Sequence, residues 1–274
     1  MSVPLPHLLL SALLLLPVAA AHPVLLFSFP GSGNTWVRKL LEEATGQRTG
    51  SVYNDGSLAG VLPGELACSP DMVAVKSHTH APIGVFFKGP ATGVGKKCRD
   101  LVPFSALVIV MRHPVHAAIA EGTRQKLRSH VRAFNATTFA PHRRALSEVV
   151  GSIVERWGAA YAPAYLEGAR HAPATMAVRY ERLKDQKKSR EQELRRLLDF
   201  VAEAGAGTVM QNRSLTSVFA ASDHPSIHRQ SGQFDVAGHL DWAPICAAWR
   251  GVQYAASLFG YKTPDQCTFH PPQA

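Results

Sequence analysis

The stretch that most constrains this chain is Val24-Leu-Leu-Phe-Ser-Phe-Pro-Gly-Ser-Gly-Asn-Thr-Trp36. The apolar run Val24–Phe29 has the continuity of a strand buried on both faces. It breaks at Pro30. Trp36, Val37, Leu40, Leu41 and Ala44 then recur at helical spacing, and Gly46 can end that helix. A strand that feeds a glycine-rich loop and then a helix N-terminus turns backbone N–H groups toward an anion. Gly31 and Gly33 can take positive φ, and Ser32, Asn34 and Thr35 add side-chain donors. The loop lacks the lysine of the GxxxxGK[ST] pattern, and no magnesium ligand stands out. Both points count against an ATPase or GTPase.

Further strands are expected at Met72–Lys76, Phe104–Met111 and Thr175–Val178. Pro114 opens a helix running to about Leu127. Leu146 to Gly168 reads as one amphipathic helix interrupted by Pro163, and Leu194, Leu197, Leu198 and Val201 mark another, ended by Gly205. Asp241 can cap a final helix whose stripe holds Ile245, Trp249 and Val252. Residues 80–103 look irregular, 128–142 form a polar connection, and 206–240 are mostly loop. Strands alternating with helices predict an α/β fold, a single domain with a central parallel sheet flanked by helices. Ligands of such sheets sit at the carboxyl ends of the strands. Three motifs fall there: Pro30–Trp36, Lys76–His80 and Arg112–Pro114.

Residues 1–21 are almost uncharged and apolar, ending in a small-x-small pattern at Ala19 and Ala21. They are expected to be a signal peptide, with a retained membrane anchor as the alternative, and residues 22–274 to be the functional domain. Asn135-Ala136-Thr137 and Asn212-Arg213-Ser214 are N-glycosylation sequons. Cys68, Cys98, Cys246 and Cys267 form no CxxC pair, so no structural zinc site is expected, and with no magnesium ligand in view no metal is expected either. An even count in an oxidising compartment predicts two disulfides, and local pairing is the simplest of three connectivities. The net charge of +9 lies wholly outside the leader and favours anionic ligands. A secretory route argues against nucleic acid and for anionic nucleotides or acidic glycans. The expected location is the Golgi lumen or the exterior.

In this order the motifs resemble those of the sulfotransferase family across residues 24–200. Pro30–Trp36 is similar to the family's 5′-phosphosulfate loop. Val75-Lys76-Ser77-His78 resembles the stretch that supplies the base. Val110-Met111-Arg112-His113-Pro114 resembles the Arg-x-Pro motif that holds the 3′-phosphate, and Arg179-Tyr180-Glu181-Arg182-Leu183 resembles a recurrent Arg-Tyr-Glu-Asp-Leu signature. The wording is closest to the WSC-domain-containing, carbohydrate-type branch, without its WSC module. The resemblance implies sulfuryl transfer from 3′-phosphoadenosine 5′-phosphosulfate to an acceptor hydroxyl, on a carbohydrate or glycoconjugate. It implies His78 as general base, with His80 as rival, and Lys76 as a catalytic cation. Gly31, Ser32, Gly33, Asn34, Thr35, Trp36, Arg112 and Arg229 would hold the donor, with Trp36 stacked on adenine.

Two departures stand out. Many cytosolic members have lysine where Gly31 stands, so Lys76 or Arg38 must meet the charge on the leaving oxygen. A serine eight residues after the motif arginine is here Ala120, which Arg124 or Arg128 would compensate. Glu121, Tyr180 and Glu181 are expected to be structural, and Lys184 to Arg190 solvated surface. Phe86 and Phe87 fit either an acceptor cleft or a buried position. A non-catalytic anion-binding relative and another P-loop enzyme, such as a nucleotide kinase, remain the alternatives.

Overall fold

The computed structural model describes residues 22–78, 83–87, 98, 103–129, 132–185, 188–206, 213–223 and 234–268. Five parallel strands form one sheet in the order β2-β3-β1-β4-β5: β1 Val24–Ser28, β2 Thr49–Ser51, β3 Ala74–Ser77, β4 Leu107–Met111 and β5 Thr175–Arg179. The α/β architecture is as expected. The chain first adds strands on one side of β1 and then on the other. The topological switch point therefore lies at β1, between β3 and β4.

Register explains why β1 and β4 are apolar throughout. Leu25 pairs with Leu107 and Phe27 with Ile109 on one face; Leu26 pairs with Val108 and Ser28 with Val110 on the other. The first face joins Trp157, Tyr161, Val150 and Trp249 in one core, and the second joins Val37, Leu40, Leu194 and Val218 in another. Both faces are covered by helices, so a two-residue alternation has no polar half to show.

The helix α1 spans Asn34–Thr45 and α2 Pro114–Leu127. A four-residue α3 (Ala136–Phe139) interrupts the expected polar connection, with the sequon residue Asn135 as its N-cap. The single helix expected over Leu146–Gly168 is α4 (Arg143–Arg156), a π-helical turn at Trp157–Tyr161, and α5 (Ala162–His171). The wide turn lies just before Pro163, which has no N–H for the α-type ladder. Then come α6 (Tyr180–Lys184), α7 (Lys188–Glu203), α8 (Leu215–Ser222), α9 (Val236–His239), α10 (Trp242–Leu258) and α11 (Asp265–Thr268). Within 206–240, expected to be mostly loop, the described residues include two short helices, α8 and α9. Asp241 caps α10 through a bond from the Ala243 N–H, 3.0 Å.

The cysteines pair locally, Cys68 with Cys98 and Cys246 with Cys267, which suits an oxidising compartment. Among the described residues no helix is long and apolar enough to cross a membrane. The leader lies outside them.

Candidate functional site

A cleft of about 920 Å³ opens at the carboxyl ends of β1, β3 and β4, at the switch point. Its floor is the first loop. Gly31 and Gly33 both hold left-handed backbone, with φ of 82° and 90°. A Cβ on Gly31 would stand 2.2 Å from the Ala117 carbonyl oxygen, and one on Gly33 would stand 2.4 Å from the Tyr180 ring. Lysine at position 31 is therefore excluded by both backbone conformation and space. Gly33 caps α1 without a side chain, so no cap side chain takes the first N–H groups of that helix, whose first residues line the cleft.

The loop residues divide by burial. Gly31, Gly33, Asn34, Thr35 and Trp36 line the cleft. Ser32 is 1 % exposed and does not; its N–H closes the turn onto the Phe29 carbonyl, 3.1 Å. Asn34 spends its amide within the fold, donating to Ser28 Oγ (3.1 Å) and the Leu26 carbonyl (3.4 Å). Trp36 is buried in the α1 core and packs edge-on to Tyr180, at 5.6 Å, so it presents little of its ring to the cleft.

His78 ends β3 with its backbone fixed at both polar groups. Its N–H donates to the Tyr53 hydroxyl, 2.9 Å, and its carbonyl accepts from the Tyr161 hydroxyl, 2.8 Å. Nδ1 lies 2.7 Å from the Ser28 carbonyl, which can only accept, so that nitrogen carries the proton. Nε2 is left with its lone pair. Burial, aided by the Lys76 charge, lowers the His78 pKa to about 3. The imidazole is therefore neutral at physiological pH. His80 and Arg229 lie outside the described residues.

Lys76 and Arg38, the two cations expected to stand in for the loop lysine, are separated by the fold. Lys76 lines the cleft, with Nζ 3.7 Å from Glu65 and 5.8 Å from the centre of the Tyr53 ring. Arg38 is fully buried. It pairs with Glu65 and donates to Thr49 Oγ1 (2.9 Å) and the Thr49 carbonyl (3.2 Å), tying α1 to β2. It does not reach the cleft, and Lys76 is the cation that does.

Arg112 faces the cleft from the end of β4. Its guanidinium donates to the Gly31 carbonyl, 2.9 Å, and stacks on Tyr180 at 4.4 Å. The neighbouring His113 turns away, stacked on Trp249 at 5.1 Å with Nε2 bonded to the Lys262 carbonyl. Its backbone N–H donates to Glu181 Oε1, 2.7 Å, which gives Glu181 a structural role. Glu121 is the partner of Arg124, as expected (2.5 and 2.7 Å). Ala120 and Arg124 line the cleft; Arg128 caps α2 with φ 48° and is not among the lining residues. Phe86 is buried against Phe104, away from the cleft.

Sequence reasoning missed Tyr53, Asp55, His116 and Lys184, which all line the cleft. Lys184 is exposed, as expected of solvated surface, and lines the cleft as well. One signal was present for it: it follows Tyr180 by four residues and so shares its side of α6. Tyr53 and Asp55 come from a connection with no periodicity to read.

No protein-family model matches the chain. Over part of its length it is similar to curated proteins named as WSCD family members. It is 40 % identical over 122 residues to one from Drosophila melanogaster, 44 % of this chain and 32 % of the relative. It is 41 % identical over 108 residues to one from Drosophila pseudoobscura pseudoobscura (38 % and 29 %), and 37 % over 101 residues to one from Aedes aegypti (36 % and 27 %). Each match spans less than a third of the relative.

Proposed function

We propose that this chain is a sulfotransferase that moves a sulfuryl group from 3′-phosphoadenosine 5′-phosphosulfate to a hydroxyl of a carbohydrate or glycoconjugate. The observation that carries the reading is one juxtaposition at the switch point. A neutral histidine with its Nδ1 proton fixed on Ser28 shares a cleft with an α1 N-terminus capped by glycine, and with Arg112 and Lys76. The similarity to WSCD family members supports it, because the loop wording pointed to the same group.

The donor would rest its 5′-phosphosulfate on the N–H groups at Gly33–Thr35 and its 3′-phosphate on Arg112, a planar fork suited to phosphate. Transfer exchanges the acceptor's O–H bond for an O–S bond and breaks the donor's S–O bond to the 5′-phosphate, the electron pair leaving on that oxygen. His78 takes the acceptor proton at Nε2. With a pKa near 3 it is a weak base in the free protein; a bound anion offsets the Lys76 charge and raises its basicity. Lys76 and the loop N–H groups face the charge that grows on the leaving oxygen.

Two measurements test this. Adenosine 3′,5′-bisphosphate should raise the melting temperature, and labelled donor should pass its sulfur to members of a glycan panel. Stabilisation by ATP with magnesium but not by the bisphosphate would favour a nucleotide kinase. Donor binding with no transfer to any glycan or tyrosine peptide would favour a non-catalytic anion-binding protein.

A further inference from the structure

Lys76 reaches the cleft from a site that disfavours its charge. It is 5 % exposed, and burial is the chief influence lowering its pKa, with the Arg38 and Arg124 charges acting the same way. Two carboxylates oppose them, Glu65 first and Asp55 second. Lys76 also lies over the Tyr53 ring and shares the cleft lining with the neutral His78. Glu65 is fully buried and lies outside every motif in the sequence. One of its oxygens pairs with Arg38 and the other lies 3.7 Å from Lys76 Nζ. Its segment is fastened on both sides: the Glu65 N–H bonds the Leu62 carbonyl, 2.9 Å, and Cys68 is joined to Cys98.

A buried carboxylate is tolerated when it is paired with a cation and its remaining lone pairs are satisfied. Arg38 supplies the cation, with Nη1 on one Glu65 oxygen and Nε and Nη2 donating to Thr49. The second Glu65 oxygen is turned to Lys76, which links a fold-holding ion pair to the cleft. We infer that Glu65 is a positioning residue that holds the Lys76 ammonium in the cleft, on the side of His78. Its consequence for catalysis rests on the sulfotransferase reading; its effect on the Lys76 charge does not.

Two substitutions separate this role from a purely structural one. Glu65→Gln removes the negative partner of Lys76, and Arg38→Met removes a repelling positive one. Both break the same ion pair. Competitive amine labelling of Lys76 against pH, read by mass spectrometry, should show its pKa falling in Glu65→Gln and rising in Arg38→Met. Shifts of the same sign, or none, would overturn the inference. If Glu65→Gln does not fold, the double variant Glu65→Gln/Arg38→Met removes both charges of the Arg38–Glu65 pair, and its Lys76 should label at lower pH than in Arg38→Met alone; an unchanged value would overturn the inference. Binding of adenosine 3′,5′-bisphosphate should weaken in Glu65→Gln as pH rises, at lower pH than in the wild type. A wild type that does not bind the bisphosphate would defeat the proposed function while the labelling result still decides the Glu65–Lys76 coupling.

Discussion

At the scale of the residue, the site turns on which hydrogen bonds are already committed. The Ser28 carbonyl selects the tautomer of His78, so a change there acts only through the lone pair on Nε2. His78→Ala should cut transfer by about 10²–10⁴-fold and leave affinity for adenosine 3′,5′-bisphosphate nearly unchanged. Activity that survives would move the base elsewhere. Arg112→Ala should do the reverse and weaken the nucleotide by about tenfold or more, measured by calorimetry. Gly31→Lys, which restores the residue of many cytosolic sulfotransferases, should not help. The left-handed φ alone costs about 1–3 kcal/mol, and the Ala117 carbonyl blocks the Cβ. Urea denaturation should show the loss; a variant as stable as the wild type would mean that the loop can rearrange. The absent lysine was plain in the sequence. The reason for its absence was not, because the blocking oxygen belongs to a helix 86 positions further on.

At the scale of the element, the strands and helices with long apolar stretches were legible, and those made by tertiary context were not. The β1 strand and helices α1 and α2 fall where apolar runs, Gly46 and Pro114 put them. Strand β2 is Thr49-Gly50-Ser51, with no apolar residue to announce it. It is held by side chains from α1: Glu42 accepts from the Thr49 N–H (2.9 Å) and hydroxyl (2.7 Å). Helix α8 is short and escapes notice, although Ser214 accepts from the Ser217 N–H at its start, 3.2 Å. The π turn before Pro163 has a use that no periodicity shows. It carries Tyr161, whose hydroxyl holds the His78 carbonyl, and α5 then carries Tyr165, which accepts from the Phe29 N–H, 3.1 Å. Tyr161→Phe keeps the ring against Phe27 and Phe29 and deletes the hydroxyl that makes that tether. The turnover number should fall about tenfold, the size of one hydrogen bond, with the melting temperature shifted by only a few degrees. Unchanged turnover would show that β3 alone places the base.

At the scale of the whole molecule, burial of neutral histidines sets the response to acid. Burial lowers the pKa of both His78 and His113, the former to about 3. The unfolded chain takes up protons on these rings below about pH 6.5, and the fold resists them. The unfolded state thus binds more protons across that window, so stability is full above it and is lost as pH falls toward the folded values. Melting temperature should be flat near pH 7 and above and decline below 6.5, less steeply in His78→Gln. A melting temperature that rises on going from pH 7 to 5 would contradict this. The placement of the cleft at the switch point has a further consequence, for cooperativity. Its histidine, its cradle and Arg112 hang from the three inner strands, and fraying begins at edges such as β2 and β5. Loss of ligand binding in denaturant should then coincide with loss of the fold, with no intermediate that has parted with one and kept the other.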